Sequence, residues 1–438
     1  MSRSESLRKT ILDQVAEYYR LVHEDKEFVP GESRVHYAGR VFDDREMTNM
    51  VDAVLDFWLT AGPEAEKFEK KLGKFLGVRE VIPVNSGSSA NLVAVAALCS
   101  KQLRNGLRPG DEVIVPAASF PTTVNPLIQN DLVPVFVDSR LGDYNLDPEG
   151  LEEAVSTRTR AVMFAHTLGN PADMDTIMNF VRKNDLFLVE DTCDALGSLW
   201  DGRLVGSFGQ IATLSFYPAH HITLGEGGAA YTSSRMLAKI ARSIRDWGRD
   251  CWCGYDNPVN GRCGKRFERE VPGLDGFYDH RYLYTEIGYN LKLTDPQAAV
   301  GLAQLDKLPD FINRRKENFD YLFGALSQHE EFLIMPRWYE KADPSWFAFP
   351  LCVRDEAPFT RYQITRFLEE KGVETRTLFA GNIMMQPAYK DINHRVIGNL
   401  KGANQIMRGA FFVGVYPGLD RPRLDYVIDA FNQFFQVL

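Results

Sequence analysis

Between residues 80 and 235, short apolar runs alternate with helical patterns, and this alternation limits the fold more than any other feature of the chain. The runs EVIVPAASF (112–120), LVPVFVD (132–138), RAVMFAHTLG (160–169) and LFLVED (186–191) are nearly continuous in Val, Ile, Leu and Phe. A strand with one wet face would alternate apolar and polar residues, so these strands must be covered on both faces. SANLVAVAALCSKQL (89–103) and DMDTIMNFVRKN (173–184) supply helices between them. The pattern implies an α/β fold: a mainly parallel central sheet with helices on both faces.

The 438 residues are enough for more than one domain. Residues 1–60 read as an N-terminal helical arm, because Leu7, Ile11, Leu12, Val15, Tyr19 and Val22 recur at helical spacing. Residues 61–310 form the large domain. Within it, 251–285 are rich in Gly, Pro, Asp and Arg and read as a long loop, a class that is usually functional or disordered. A long helical pattern spans 295–326. Residues 311–438 mix FAFPLCV, TRYQITRFLEEKG and LDYVIDAFNQFFQVL, which predict a smaller C-terminal α+β domain. The net charge of −9 gives no sign of nucleic-acid binding. The first residues lack the apolar core of a secretory signal, and no apolar run is long enough to span a membrane. Six cysteines are few for this length, so a cytoplasmic protein without disulfides is expected.

Three segments carry candidate chemistry. In VNSGSSANL (84–92), Gly87, Ser88 and Ser89 stand where an apolar segment gives way to a helix. Free N–H groups, hydroxyls and the positive helix end make an anion site there, although a serine-capped helix without a ligand has the same sequence. In LVEDTCDALGS (188–198), Glu190 and Asp191 end a buried strand, where open α/β sheets bind ligands. Such a carboxylate can pair with a protonated heteroaromatic nitrogen, or simply cap or salt-bridge. Phe120 ends another strand and can stack on a planar ring or fill the core. The third segment is SFYPAHHITLGEGG (215–228), with two adjacent histidines before a glycine-rich turn.

Together with GPEAEKFEKKLGKFLGV, GNPADMD, GYNLKLTDPQAAVGLAQL and QPAYK, these segments resemble the fold type I, pyridoxal-phosphate-dependent aminotransferases that act on nucleotide-linked sugars. The resemblance runs from about residue 60 to near the end of the chain. It implies that Gly87, Ser88, Ser89 and Ser215 hold the cofactor phosphate and that Phe120 stacks on the pyridine ring. It implies further that Asp191 pairs with the ring nitrogen, and that Asn290 reaches a phosphate across the boundary of a homodimer.

Two departures from that family are more informative. Its members carry a Schiff-base lysine where this chain has His220, and no lysine occurs between Arg203 and Met236. Imidazole cannot form that bond, but it can move a proton. The cofactor would then be pyridoxamine 5'-phosphate (PMP rather than lysine-bound PLP), held without a covalent anchor. The second departure is Cys193, in EDTCDALG, with Asp194 beside it where glutamine is usual. Cys193, Cys251, Cys253 and Cys263 are candidate ligands of an iron–sulfur cluster; structural zinc and unligated thiols are the competing readings.

Both departures occur together in one branch that the chain resembles, the CDP-4-keto-6-deoxy-D-glucose 3-dehydratases. That resemblance implies a PMP- and [2Fe-2S]-dependent 3-dehydration of a CDP-4-keto-6-deoxyhexose substrate in dideoxysugar biosynthesis. His220 is the expected base, with Asp191, Asp194 and Tyr217 in support, and a separate NADH-dependent reductase is the expected electron source. A cluster-free sugar 3-dehydratase and a zinc-containing nucleotide-sugar-binding protein stay open, as does an inactive or regulatory homologue. Arg376 and Arg408 are candidates for the substrate diphosphate.

Overall fold

The computed structural model describes residues 2–24, 27–251, 253 and 263–436. Its centre is an eight-stranded sheet. In chain order the strands used below are β1 (Glu80–Val84), β2 (Glu112–Pro116), β3 (Val133–Val137), β4 (Thr159–Ala165), β5 (Phe187–Asp191), β6 (Ile211–Ser215) and β7 (Gly228–Thr232). They continue with β8 (Leu333–Ile334), β9 (Ala348–Val353), β10 (Arg376–Thr377), β11 (Arg395–Val396) and β12 (Ala410–Gly414). The large sheet has the order β1-β7-β6-β5-β4-β2-β3-β11. All its pairs are parallel except those of β7, which runs against both β1 and β6.

The expected α/β class is the observed one. The apolar runs become β2 to β5, and the strands β2 and β3 are buried along their whole length, as continuous apolar sequence requires of a doubly covered sheet. β7 has no counterpart among the expected strands. Its sequence, Gly-Ala-Ala-Tyr-Thr, opens with three residues of low strand propensity, and β1 and β6 pair with it on both sides.

The helices are α1 (Arg3–Val22), α2 (Asp44–Leu55), α3 (Pro63–Leu76), α4 (Gly87–Leu98), α5 (Pro121–Gln129), α6 (Met174–Lys183), α7 (Arg235–Arg245) and α8 (Asp295–Leu326), followed by α9 (Arg361–Glu370), α10 (Lys401–Gly409) and α11 (Arg421–Gln436). α1 buries none of its residues and is tied to α2 by Arg8, which bonds Asp52 and Asp56. α2 packs on α8, where Lys307 Nζ and Gln304 Nε2 both bond the buried Glu46. The start of α3 is held from the same helix. Gly62 offers no side-chain cap, and Asp295 Oδ1 accepts from Gly62 N and Ala65 N, each at 2.8 Å.

α8 runs through residue 310, the position expected for the domain boundary. Beyond it, β8, β9, β12 and β10 form a second, four-stranded antiparallel sheet with α9, α10 and α11 around it. β11 returns to the large sheet beside β3. Its Arg395 bonds the buried Glu112 at 2.5 Å, which Arg158 also contacts at 2.7 Å. In the expected loop 251–285 the described residues form one two-stranded hairpin (Arg269–Glu270 with Phe277–Tyr278) and a 3-10 turn at His280–Tyr282; residues 252 and 254–262 lie outside the described residues. Among the described residues, no helix is long and apolar enough to cross a membrane.

Candidate active site

Parallel strands end together, so residues just past their C-terminal ends converge on one edge of the sheet. There the structure has a cavity of about 420 Å³. Its floor is Ser86, Gly87 and Ser88, where β1 turns into α4, together with Ser215 at the end of β6. Asp191, Cys193 and Asp194 follow from β5, Phe120 and Thr122 from the start of α5, and Tyr217 and His220 from the turn after β6. The smaller domain closes the other side with Phe347, Arg376, Phe379 and Phe412, and Tyr37 comes from the arm. Leu168 and Phe379, both on the wall, hold positive φ values of 52° and 46°, a strained conformation for bulky residues that is typical of functional sites.

Strand pleating separates the two acids at the end of β5. Glu190 is fully buried on the side away from the cavity. It accepts from the backbone N–H groups of Gly206, Phe208 and Gly209 and so anchors that loop. Asp191 faces the cavity and is 4% exposed. Its Oδ2 accepts from Asn91 Nδ2 at 2.8 Å and Thr123 Oγ1 at 2.9 Å, and its Oδ1 accepts from Cys193 N at 3.1 Å. Asn91 is itself fixed by Thr213 Oγ1, which donates to its Oδ1 at 2.7 Å. Hydrogen bonds of this kind fix the orientation of the carboxylate.

The anion end is equally constrained. Ser86 caps α4, and the free N–H groups behind it point into the floor. A Cβ at Gly87 would lie 2.6 Å from Ser215 Cβ and 3.1 Å from Cys193 Sγ, so glycine allows strand and helix ends to meet. Gly228 does the same for Ser86, whose carbonyl oxygen would be 2.3 Å from an added Cβ. Ser86 was not among the expected residues; its signal is a serine directly before an apolar helix. Ser89 was expected, but it does not line the cavity. It occupies the cap's inner side, donating to Asn85 Oδ1 at 2.6 Å and accepting from Ser86.

The histidine pair divides in the same way. His221 is buried, with Nε2 2.8 Å from the Ser345 carbonyl. Burial, with Arg315 nearby, holds its pKa well below the usual histidine value, so it is neutral. His220 lines the cavity and packs on Phe347, with ring centroids 5.4 Å apart. Its Nδ1 is 3.3 Å from Asp194 Oδ1 but out of line for a hydrogen bond, and it has no other partner among the described residues. Below it, the buried Arg315 donates to the carbonyls of His220, Trp346 and Phe347, locking the His220 turn to the smaller domain. Burial pulls the Arg315 pKa down to about 9, against the attraction of Asp194, and it stays protonated at neutral pH.

Arg376 lies on the cavity rim and stacks on Tyr37 at 4.3 Å. Arg408 is exposed, contacts Asp355 and does not line the cavity. Asn290 is exposed and accepts from Lys292 Nζ at 2.6 Å; it does not reach the cavity of its own chain.

The four expected sulfur ligands line two cavities. Cys193 stands two residues past β5 and is therefore held in the cavity just described, where burial and the Asp191 carboxylate push its thiol pKa well above the usual value. Cys251, Cys253 and Cys263 follow α7 and line a different cavity of about 980 Å³, with Arg249, Arg281 and Lys292 on its wall. Within one copy of the chain Cys193 therefore lines a different cavity from the other three cysteines. Pyridoxamine phosphate does fit the first cavity: a capped helix start for its phosphate, a fixed carboxylate, an exposed aromatic face at Phe120, and an unpartnered His220 nitrogen.

Fold and site define a fold type I, pyridoxal-phosphate-type enzyme with histidine at the position of the lysine. The chain belongs to the DegT/DnrJ/EryC1/StrS aminotransferase family, whose model matches residues 42–432. It is 49% identical to the lipopolysaccharide biosynthesis protein RfbH of Salmonella typhimurium, covering 98% of each chain. It is 46% identical to the dTDP-4-dehydro-2,6-dideoxy-D-glucose 3-dehydratase of Saccharopolyspora spinosa, over 97% of this chain and 91% of that one. Among solved structures it is similar to a histidine-to-asparagine mutant of GDP-4-keto-6-deoxymannose-3-dehydratase with bound GDP-perosamine. That match has a TM-score of 0.81 and 28% identity, over 90% of this chain and 99% of that one. The Escherichia coli enzyme of that name, with bound hydrated PLP, matches with the same TM-score.

Proposed function

We propose that the protein is a PMP-dependent sugar-nucleotide 3-dehydratase that removes the C-3 oxygen of a CDP-linked 4-keto-6-deoxyhexose, with His220 as its base. The observation that carries this reading is the His220 imidazole on the cofactor cavity of an aminotransferase fold, with an Nδ1 that has no hydrogen-bond partner among the described residues. The named 3-dehydratases among the relatives support it.

Ser86, Gly87, Ser88 and Ser215 would hold the cofactor phosphate, Phe120 would cover the ring, and Asp191 would hold the proton on its nitrogen. When bound, the group supplies a primary amine for the sugar ketone and an electron sink for the carbanion formed beside it. His220 removes the proton from the cofactor's methylene carbon, and its imidazolium then lies ready to protonate the departing hydroxyl. Asp194, 3.3 Å from Nδ1, stabilises that imidazolium. Tyr217, half exposed on the wall, is a second donor to the leaving group. Arg376 on the rim would meet the diphosphate. A second copy of the chain would bring Asn290 to the phosphate, making the enzyme a homodimer. An iron–sulfur group held by Cys193, Cys251, Cys253 and Cys263 would supply one-electron transfer, and a separate NADH-dependent reductase would be its electron source. The setting is cytoplasmic dideoxysugar synthesis.

The test is to incubate the PMP-loaded protein with CDP-4-keto-6-deoxyglucose, an NADH-dependent reductase and NADH, and to weigh the nucleotide sugar. The reading expects replacement of one C–OH by C–H, with release of water. A C-4 amino sugar formed with an amino donor, or unaltered substrate, would overturn it.

A further inference from the structure

Arg315, in the middle of α8, is the largest side chain that the molecule buries completely, at 1% exposure. It does not line the cofactor cavity. Among the described residues it makes no ion pair, and Asp194 attracts it from beyond salt-bridge distance. Taking a cation out of water without such a partner is costly. A side chain that only filled this space would be apolar.

The guanidinium bridges two segments. Its Nη2 donates to the His220 carbonyl at 3.2 Å, in the turn after β6. Its Nη1 donates to the carbonyls of Trp346 and Phe347, at 3.2 and 3.0 Å, just before β9. Each segment sends one ring to the cavity wall, His220 from the first and Phe347 from the second, and the two rings pack together at 5.4 Å. The second segment is held from other sides as well. Phe319, one turn along α8 from Arg315, stacks on Trp346 at 3.8 Å with the ring planes 1° apart. Phe347 N donates to the Leu168 carbonyl at 2.9 Å, and the Ser345 carbonyl accepts from His221 Nε2 at 2.8 Å. A Cβ at Gly169 would lie 2.0 Å from the Ser345 oxygen, so that approach requires glycine. The His220 carbonyl, in contrast, has Arg315 as its only donor among the described residues.

We infer that Arg315 is a positioning residue for the reaction. By bonding the main chains of His220 and Phe347 through one planar group, it fixes the imidazole where the proton of the cofactor methylene is taken. The inference rests on the preceding reading, in which His220 is the base. A guanidinium suits the task because its donors form a rigid, planar fork; a lysine ammonium is a point charge on a flexible stem and does not reproduce that geometry. Displacing a reacting group by about 1 Å is enough to cost on the order of a hundredfold in rate.

The test compares the full-length, PMP-loaded wild type with Arg315→Lys, Arg315→Met and His220→Asn. Deuterium exchange at the methylene of bound PMP is followed by NMR in D2O with CDP-4-keto-6-deoxyglucose present. PMP affinity, affinity for the nucleotide sugar and melting temperature are measured alongside. Arg315→Lys keeps the charge, so it should fold and bind PMP and the sugar within about threefold of wild type, yet exchange at least about tenfold more slowly. Arg315→Met keeps the volume and removes all three hydrogen bonds, and should exchange no faster than Arg315→Lys. A loss of PMP affinity as large as the loss of exchange, the mark of a purely structural role, would overturn the inference. Exchange in Arg315→Lys within about twofold of wild type, with exchange lost in His220→Asn, removes this inference and leaves the functional reading standing. Exchange that persists in His220→Asn removes both.

Discussion

Replacing Asp191 by Asn tests the carboxylate's role at nearly constant volume. Two donors meet on its Oδ2, from Asn91 and Thr123, and the Cys193 N–H meets its Oδ1. An amide in the same place must turn its NH2 toward one side or the other. Facing Asn91 it opposes the NH2 that Thr213 has fixed in place; facing Cys193 it opposes a backbone N–H. Either way one buried donor loses its acceptor, which costs about 1–3 kcal/mol. For a chain of this length that is a fall of roughly 1–3 °C in melting temperature. The variant also loses the charged partner of the ring nitrogen, worth about 1.5–3 kcal/mol, or roughly 10- to 150-fold in PMP affinity. Differential scanning calorimetry of the apoprotein reads the first effect, and absorbance titration with PMP reads the second. An unchanged melting temperature together with PMP affinity within twofold of wild type would refute the assignment.

Gly87→Ala should fold, since alanine favours a helix by about 1 kcal/mol, yet its Cβ would meet Ser215 and Cys193; PMP titration should show at least a tenfold loss of affinity. Burial pushes the Asp143 carboxyl up to about 6 from its ordinary 3.8, with Asn145 and Arg140 opposing. The folded state therefore holds that proton more tightly, and the stability it contributes at low pH is lost as pH rises from about 4 through 6. Asp143→Asn should gain on wild type across that window, by at most about 3 kcal/mol in urea unfolding; a difference independent of pH would contradict this. Glu112→Ala leaves Arg395 and Arg158 without their shared, fully buried partner. It should cost about 2–3 kcal/mol at neutral pH, discounted because both arginines are partly exposed, and chemical denaturation measures it.

The sequence made the strands β2 to β5 and the helix α8 legible because continuous apolar runs and a long helical period leave few alternatives. β7 and β11 were not legible. One is a Gly-Ala strand and the other is two residues long, and both form only because neighbouring strands offer open edges. At the site, Asp191 and His220 could be named from their segments. Their separation from Glu190 and His221 could not, because adjacent side chains point to opposite sides only once the strand and turn are built. Ser86 had a readable signal, the capping serine. Arg315 had none: a buried cation inside a long helix acquires meaning only from what packs against it. Spacing also grouped Cys193 with the other cysteines, whereas strand topology holds it at the cofactor cavity.

The central claim is that His220 retains the proton-transfer work of a lysine without its covalent bond. The measurement that tests this most directly is deuterium exchange at the methylene of bound PMP, followed by NMR in D2O with substrate present, in wild type and His220→Asn. The account predicts stereospecific exchange in the wild type and loss of at least a hundredfold in the variant, with PMP affinity retained. Exchange at the wild-type rate in His220→Asn would contradict it.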